Sequence, residues 1–161
     1  RGEIQLSTGI NPAVAQKTFQ HLVEKYPSYQ YLDNVEFRIA WTFERRMKRY
    51  VDAAKSYEAF VNKYGFKNVW SDDVVANLVG VYLDHVRDFP AALRWSKIYR
   101  EKFPMGHMAQ HVSFYEARAL KESGKIPEAQ ATLNEAITRF GDSMVPIYDS
   151  EDTFVDLVPF V

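Results

Sequence analysis

One pattern recurs four times along this chain and limits what it can fold into. An alanine sits early in a run of helical periodicity, and a basic–aromatic–Pro/Gly stop closes the run twelve residues later. The copies are Ala15 with Lys25-Tyr26-Pro27, Ala53 with Lys63-Tyr64-Gly65, Ala92 with Lys102-Phe103-Pro104, and Ala129 with Arg139-Phe140-Gly141. Four positions after the alanine stands Phe19, Tyr57 or Leu133, with Ser96 as the exception. The leading alanines lie 38, 39 and 37 residues apart. Self-similarity at such a period marks an array of helical units, each of which buries its apolar face only against its neighbours. A binding scaffold is therefore a better expectation than an enzyme.

Helical spacing of apolar residues places the elements. Residues 12–26 form a first helix with Pro12 in its first turn, where a missing N–H costs nothing. Asp33 or Asn34 caps a helix running to about residue 48, and residues 50–64 form its partner. Ser71, Asp72 and Asp73 provide a cap and an acidic first turn for a helix through Val86. Helices over 91–103, 107–122 and 127–140 follow, with Gly124 marking the last inter-helix turn. Beyond Gly141 the pattern fails, and residues 143–161 read as an aperiodic tail. No β-alternation stands out, so the expected class is all-α: three helix pairs over 31–68, 69–105 and 106–142, preceded by a polar lead and half-repeat over 1–30, as one domain.

Hydrophobic residues make up 47% of the 161, enough for a packed core. Net charge is −1, which gives no overall pull toward nucleic acid or anionic membrane. Its distribution is uneven, because the segment after Gly141 carries five acids and no base. There is no cysteine, so disulfides, thiolate metal sites and a Cys nucleophile are excluded. No run approaches the ~20 apolar residues of a membrane span.

These copies resemble tetratricopeptide repeats, in which two antiparallel helices, A and B, form each unit. Gly80, Ala92 and Pro104 fall on the family's Gly, Ala and Pro positions. Ala53, Tyr57 and Gly65 match in the preceding unit, and Ala117, Ala129, Ala136 and Gly141 in the following one. Close helix crossings need such small residues, since a larger side chain forces the backbones apart. Trp41, where a small residue is usual, predicts a distorted second unit, and Ser96 a weakly packed third. The period exceeds the family's ~34 residues, which predicts longer helices or loops. The resemblance implies a right-handed, helical-hairpin solenoid. The style of the unit ends is similar to repeats of bacterial envelope proteins.

The family's concave face implies a partner groove of Arg38, Thr42, Arg45, Asn77, Val81, His85, Tyr115, Arg118 and Lys121, with Asp84 and His111 beside it. Its arginines and lysine suit a protein or peptide partner bearing carboxylates; a solvated charged face is the plain alternative. Thr42, Leu78, His111 and Tyr115 depart from the clamp that some family members use for chaperone C-termini, so that ligand is not expected. His107 and His111 share a helical face but lack a third ligand nearby, so no metal site is expected. The basic cluster over 45–49 reads as a solvated helix end, and Trp41, Trp70 and Trp95 as packing residues. No catalytic motif or phosphate-binding loop appears, so neither an active site nor a cofactor is expected. The acidic–apolar tail is expected to cap the last unit, with occupation of the groove as the alternative.

The function these readings support is a non-catalytic interaction scaffold or adaptor within a larger bacterial protein. The alternative is a structural spacer or regulatory arm attached to an enzyme or transporter. The expected setting is periplasm or cell envelope, with the cytoplasm as alternative. No nucleic acid and no membrane insertion are expected, and oligomeric state is left open.

Overall fold

The computed structural model describes residues 11–141 and the backbones of two short strands, Met144–Tyr148 and Phe154–Pro159. Among the described residues seven helices run in series: α1 Pro12–Lys25, α2 Leu32–Trp41, α3 Tyr50–Tyr64, α4 Ser71–Gly80, α5 Phe89–Lys102, α6 Ala109–Glu122 and α7 Ile126–Phe140. Two of them continue into a wider π-helical turn, α2 through Thr42–Arg46 and α4 through Val81–Val86. Each helix packs on its successor, and α4 also packs on α6, so contacts pass between adjacent units as in a solenoid.

The phased alanines are what bring the helices together. Ala15, Ala53 and Ala92 are fully buried and Ala129 nearly so. A continuous core through the middle of the array joins Phe37, Tyr57, Phe60, Val74, Leu78, Tyr99 and Val112. Ser96 does not loosen the third unit. It is fully buried, and its hydroxyl donates to the Ala92 carbonyl at 2.9 Å while Tyr99 fills the space one turn on.

The longest spacings have a local cause. A π turn accommodates an extra residue, closing its hydrogen bonds at i→i−5, as Met47 N–H does on the Thr42 carbonyl at 3.0 Å. Spacings of 38 and 39 belong to the units whose first helix ends this way, and 37 to the unit whose first helix does not. The turn that follows is made alike in all three. Lys48, Arg87 and Gly124 each stand five residues before the phased alanine, with φ of 54°, 62° and 77°. Only at Gly124 does the sequence announce this left-handed residue. The distortion after Trp41 is thus not peculiar to that side chain, because Gly80 precedes the same feature. Trp41 is half-buried, with the guanidinium carbons of Arg38 and Arg46 at 5.7 and 5.5 Å from its ring centre.

Several helix starts differ from expectation. Tyr31 and Trp70 occupy the capping positions of α2 and α4. Asp33 instead accepts from the Asn68 amide at 2.8 Å, and Ser71 donates to the Gly65 carbonyl at 2.7 Å. Both tie a helix start to the connector over 65–70. Asp88 caps α5, accepting from Ala91 N–H at 2.9 Å, which starts that helix two residues earlier than periodicity places it.

The tail departs from the aperiodic expectation. Its strands, β1 Met144–Tyr148 and β2 Phe154–Pro159, pair antiparallel with Val145 opposite Val158 and Pro146 opposite Leu157. β-Branched and aromatic residues favour the pleat, and a two-stranded ribbon has outer edges that tolerate proline. The expectation that the tail caps the last unit or enters the groove falls on side chains outside the described residues.

Candidate functional site: the face of the first helices

The first helices of three successive units, α2, α4 and α6, bring side chains to one shallow concavity of about 110 Å³. Glu44 and Arg45 reach it from the π turn after α2, Asn77 and Asp84–His85 from α4 and its π turn, and Tyr115 from α6. Four residues expected in the groove, Arg45, Asn77, His85 and Tyr115, thus share a single site. Two others do not face solvent. Thr42 is fully buried and Val81 is 1% exposed, because the wider turn rotates both inward. Arg38 lies against the Trp41 ring. Arg118 and Lys121 line a different cleft, of about 480 Å³, between α6 and α7.

The floor is a polar network that runs into the core. The Tyr57 hydroxyl, on α3, donates to Glu44 Oε2 at 2.7 Å, and Asn77 Nδ2 donates to the same hydroxyl oxygen at 3.4 Å. Arg45 Nε pairs with Glu44 Oε1 at 2.9 Å. Burial, with the Glu44 charge adding to it, raises the Tyr57 hydroxyl well above its ordinary pKa, so it stays a donor. Sequence reading misses Glu44. It sits thirteen residues before its partner on another helix, and nothing local marks it as a buried acid.

Across the rim, Arg118 grips Asp84 with two bonds, Nη2–Oδ1 at 2.6 Å and Nη1–Oδ2 at 3.3 Å. Tyr115 lies over Gly80, where an added Cβ would stand 3.5 Å from its ring. Burial and the Asp84 charge raise the Tyr115 pKa. His85 stacks face to face on Tyr50, with centroids 3.8 Å apart and planes 5° from parallel. Burial lowers its pKa against the pull of Asp84, so the neutral ring is favoured. The concavity therefore holds two carboxylates and the Arg45 guanidinium, with Arg118 pairing Asp84 from the neighbouring cleft, which is a more balanced surface than the basic groove expected from Arg38, Arg45, Arg118 and Lys121.

His107 and His111 do not act as a pair. His107 turns to the start of α4, with Nδ1 3.2 Å from Asp72 Oδ2 and Nε2 3.0 Å from Asp73 Oδ1. Asp72 also accepts from the Tyr99 hydroxyl. This cluster fastens the connector before α6 to the preceding unit. His111 is partly buried, and burial followed by the nearby His107 charge lowers its pKa. Among the described residues no group of three side chains suits a metal ion, and no helix is long and apolar enough to cross a membrane.

Comparison with known proteins gives one family match and no curated relative. The tetratricopeptide repeat model matches residues 35–65, which spans most of α2, its π turn and α3. No curated protein matches the chain. The buried alanine and the left-handed turn of the matched hairpin recur in the two units that follow, and residues 35–65 form a tetratricopeptide repeat.

Proposed function

We propose that the chain is a protein–protein interaction module, a scaffold or adaptor segment of a larger bacterial protein, whose concave face holds an extended peptide or partner helix. Tetratricopeptide repeats serve as interaction modules and are typically non-catalytic. The observation that carries the finer reading is the convergence of Arg45, Asn77, His85 and Tyr115, from three helices, on one concavity. A carboxylate-bearing segment suits it by exchanging with Asp84 for the exposed Arg118 guanidinium, a swap of one charge-assisted pair for another. The setting we propose is the cell envelope, on the style of the unit ends. Fractionation of the parent cell tests that part by itself.

One observation favours the spacer reading as second choice. Arg45 and Arg118 are already engaged by Glu44 and Asp84, so the face is satisfied without a ligand. A photo-crosslinking residue at Asn77, compared with one at the exposed Lys97 on the opposite helices, separates the two in the parent cell. A protein captured from Asn77 alone supports the groove. Capture from Lys97 alone moves binding to the other face, and capture from neither supports the spacer.

A further inference from the structure

The groove between the two helices of each unit has a defined cover. On α2 and α3 it is α4, which sets Asn77 against Tyr57 and His85 on Tyr50. On α4 and α5 it is α6, which sets Tyr115 over Gly80 and Arg118 on Asp84. Among the described residues the corresponding groove on α6 and α7 is open. Phe114, Lys121, Ile126 and Leu133 border a cleft of about 480 Å³ there. Ile126, the counterpart of Tyr50 and Phe89, is 46% exposed, and so is Phe114. Apolar surface of this extent, on the face where neighbouring units bury theirs, calls for a partner.

We propose that the chain's own C-terminal hairpin, β1 with β2, lies over this cleft and closes the end of the solenoid. Charge selects it. Lys121 occupies the position held one unit earlier by Asp84, and Asp84 takes its opposite charge from the covering element. With the sign inverted, an acid is the complementary charge for the cover of α6 and α7 to bring. The chain beyond Gly141 has five acids and no base, interleaved with Val145, Ile147, Phe154, Val155, Leu157 and Val158.

Reach and stability agree with that choice. β1 begins three residues after Gly141. From Phe140 back to Ala129 the helix axis covers about 17 Å at 1.5 Å per residue. Five residues of strand cover about the same length at 3.3 Å each, so a strand returning along α7 reaches the cleft. An isolated two-stranded ribbon is marginal in water and needs a face to pack on. The tether keeps the two in proximity without any further binding partner.

Absence of cysteine makes a direct test clean. In the full chain, Leu133→Cys is combined in turn with Val145→Cys, Ile147→Cys, Val155→Cys and Leu157→Cys, and each is oxidised under dilute conditions. Lys97→Cys replaces Leu133→Cys as the control, and circular dichroism verifies the helices. The expected result is an intramolecular disulfide in at least one pair, forming about tenfold faster than the control. Lys121→Glu slows it, and Lys121→Glu with Asp156→Lys restores it. Disulfides only between molecules would assign the cleft to the hairpin of a second copy and overturn the proposal. Rates equal to the control would overturn it as well, leaving the cleft to a separate protein.

Discussion

Tyr57 and Glu44 are joined by a 2.7 Å hydrogen bond that crosses the second unit from its core to its concave face. The tyrosine is the large residue four positions after the phased alanine, so the element that packs the repeat also holds the floor of the candidate site. A ligand on the concave face would rest on groups whose positions are set by core packing, which favours a rigid, preformed surface.

Removing that donor tests the coupling. Tyr57→Phe leaves a buried carboxylate oxygen with one hydrogen bond fewer, and the expected loss is about 1–3 kcal/mol of folding stability. Urea denaturation measures it. In Glu44→Gln the side chain still accepts from Tyr57, so a smaller loss is expected. Equal losses in the two variants would show that the hydroxyl bond is not the source.

The left-handed turn residues make opposite predictions at equivalent positions. Lys48 holds φ of 54°, a conformation that costs an L-residue roughly 1–2 kcal/mol. Lys48→Gly is expected to raise stability by about 0.5–1 kcal/mol, the gain being reduced by glycine's freedom in the unfolded chain. Gly124, at φ of 77°, has open space around a built Cβ, so Gly124→Lys loses by backbone strain alone, about 1 kcal/mol. Thermal melts of the two variants should move in opposite directions.

Gly106 is required by space rather than by backbone angle. A Cβ there would stand 2.4 Å from the Tyr99 hydroxyl and 2.5 Å from an Asp72 oxygen. Gly106→Ala is expected to cost about 1–3 kcal/mol by pushing the connector off the preceding unit. Hydrogen exchange should speed up at Met108 N–H, which bonds the Tyr99 hydroxyl at 3.1 Å. Unchanged exchange there would show that the pair tolerates the methyl group.

His111 gives the fold a pH dependence of known sign. Its folded pKa lies below the ordinary 6.5, chiefly because burial disfavours the charged ring. The unfolded chain therefore takes up the proton first as pH falls. The stability His111 leaves intact above pH 6.5 is lost as pH drops from there through the folded value. The urea midpoint of the native protein should fall more between pH 7.5 and pH 5.5 than that of His111→Gln. Parallel slopes would place the ring in solvent.

The legible part of this protein is its periodic part. Phased alanines, the stops at Pro27, Gly65, Pro104 and Gly141, and first-turn Pro12 and Pro127 act through local sterics, which the sequence spells out directly. Arg45, Asn77, His85 and Tyr115 could be placed on a common face because helical spacing of three and four residues fixes direction along each helix. That reasoning failed at Thr42 and Val81. Both lie in π turns, where the register rotates by the extra residue and a side chain counted as outward turns into the core. Lys48 and Arg87 gave no warning of the turn, since lysine and arginine carry no preference for positive φ.

Strand pairing after Gly141 also escaped helical patterning, because a short two-stranded ribbon with two prolines lacks a sustained alternation. What the sequence by itself determined is the all-helical repeat and the identity of the residues that pack it, since these depend on contacts within one unit and its neighbour. The tertiary structure decided the character of the concave face. Glu44 meets Tyr57 and Arg45, and Asp84 meets Arg118, only once separate helices are stacked, and those pairings turn an apparently basic stripe into a balanced one. Charge neutralisation of that kind depends on distances between helices, which no spacing along the chain encodes.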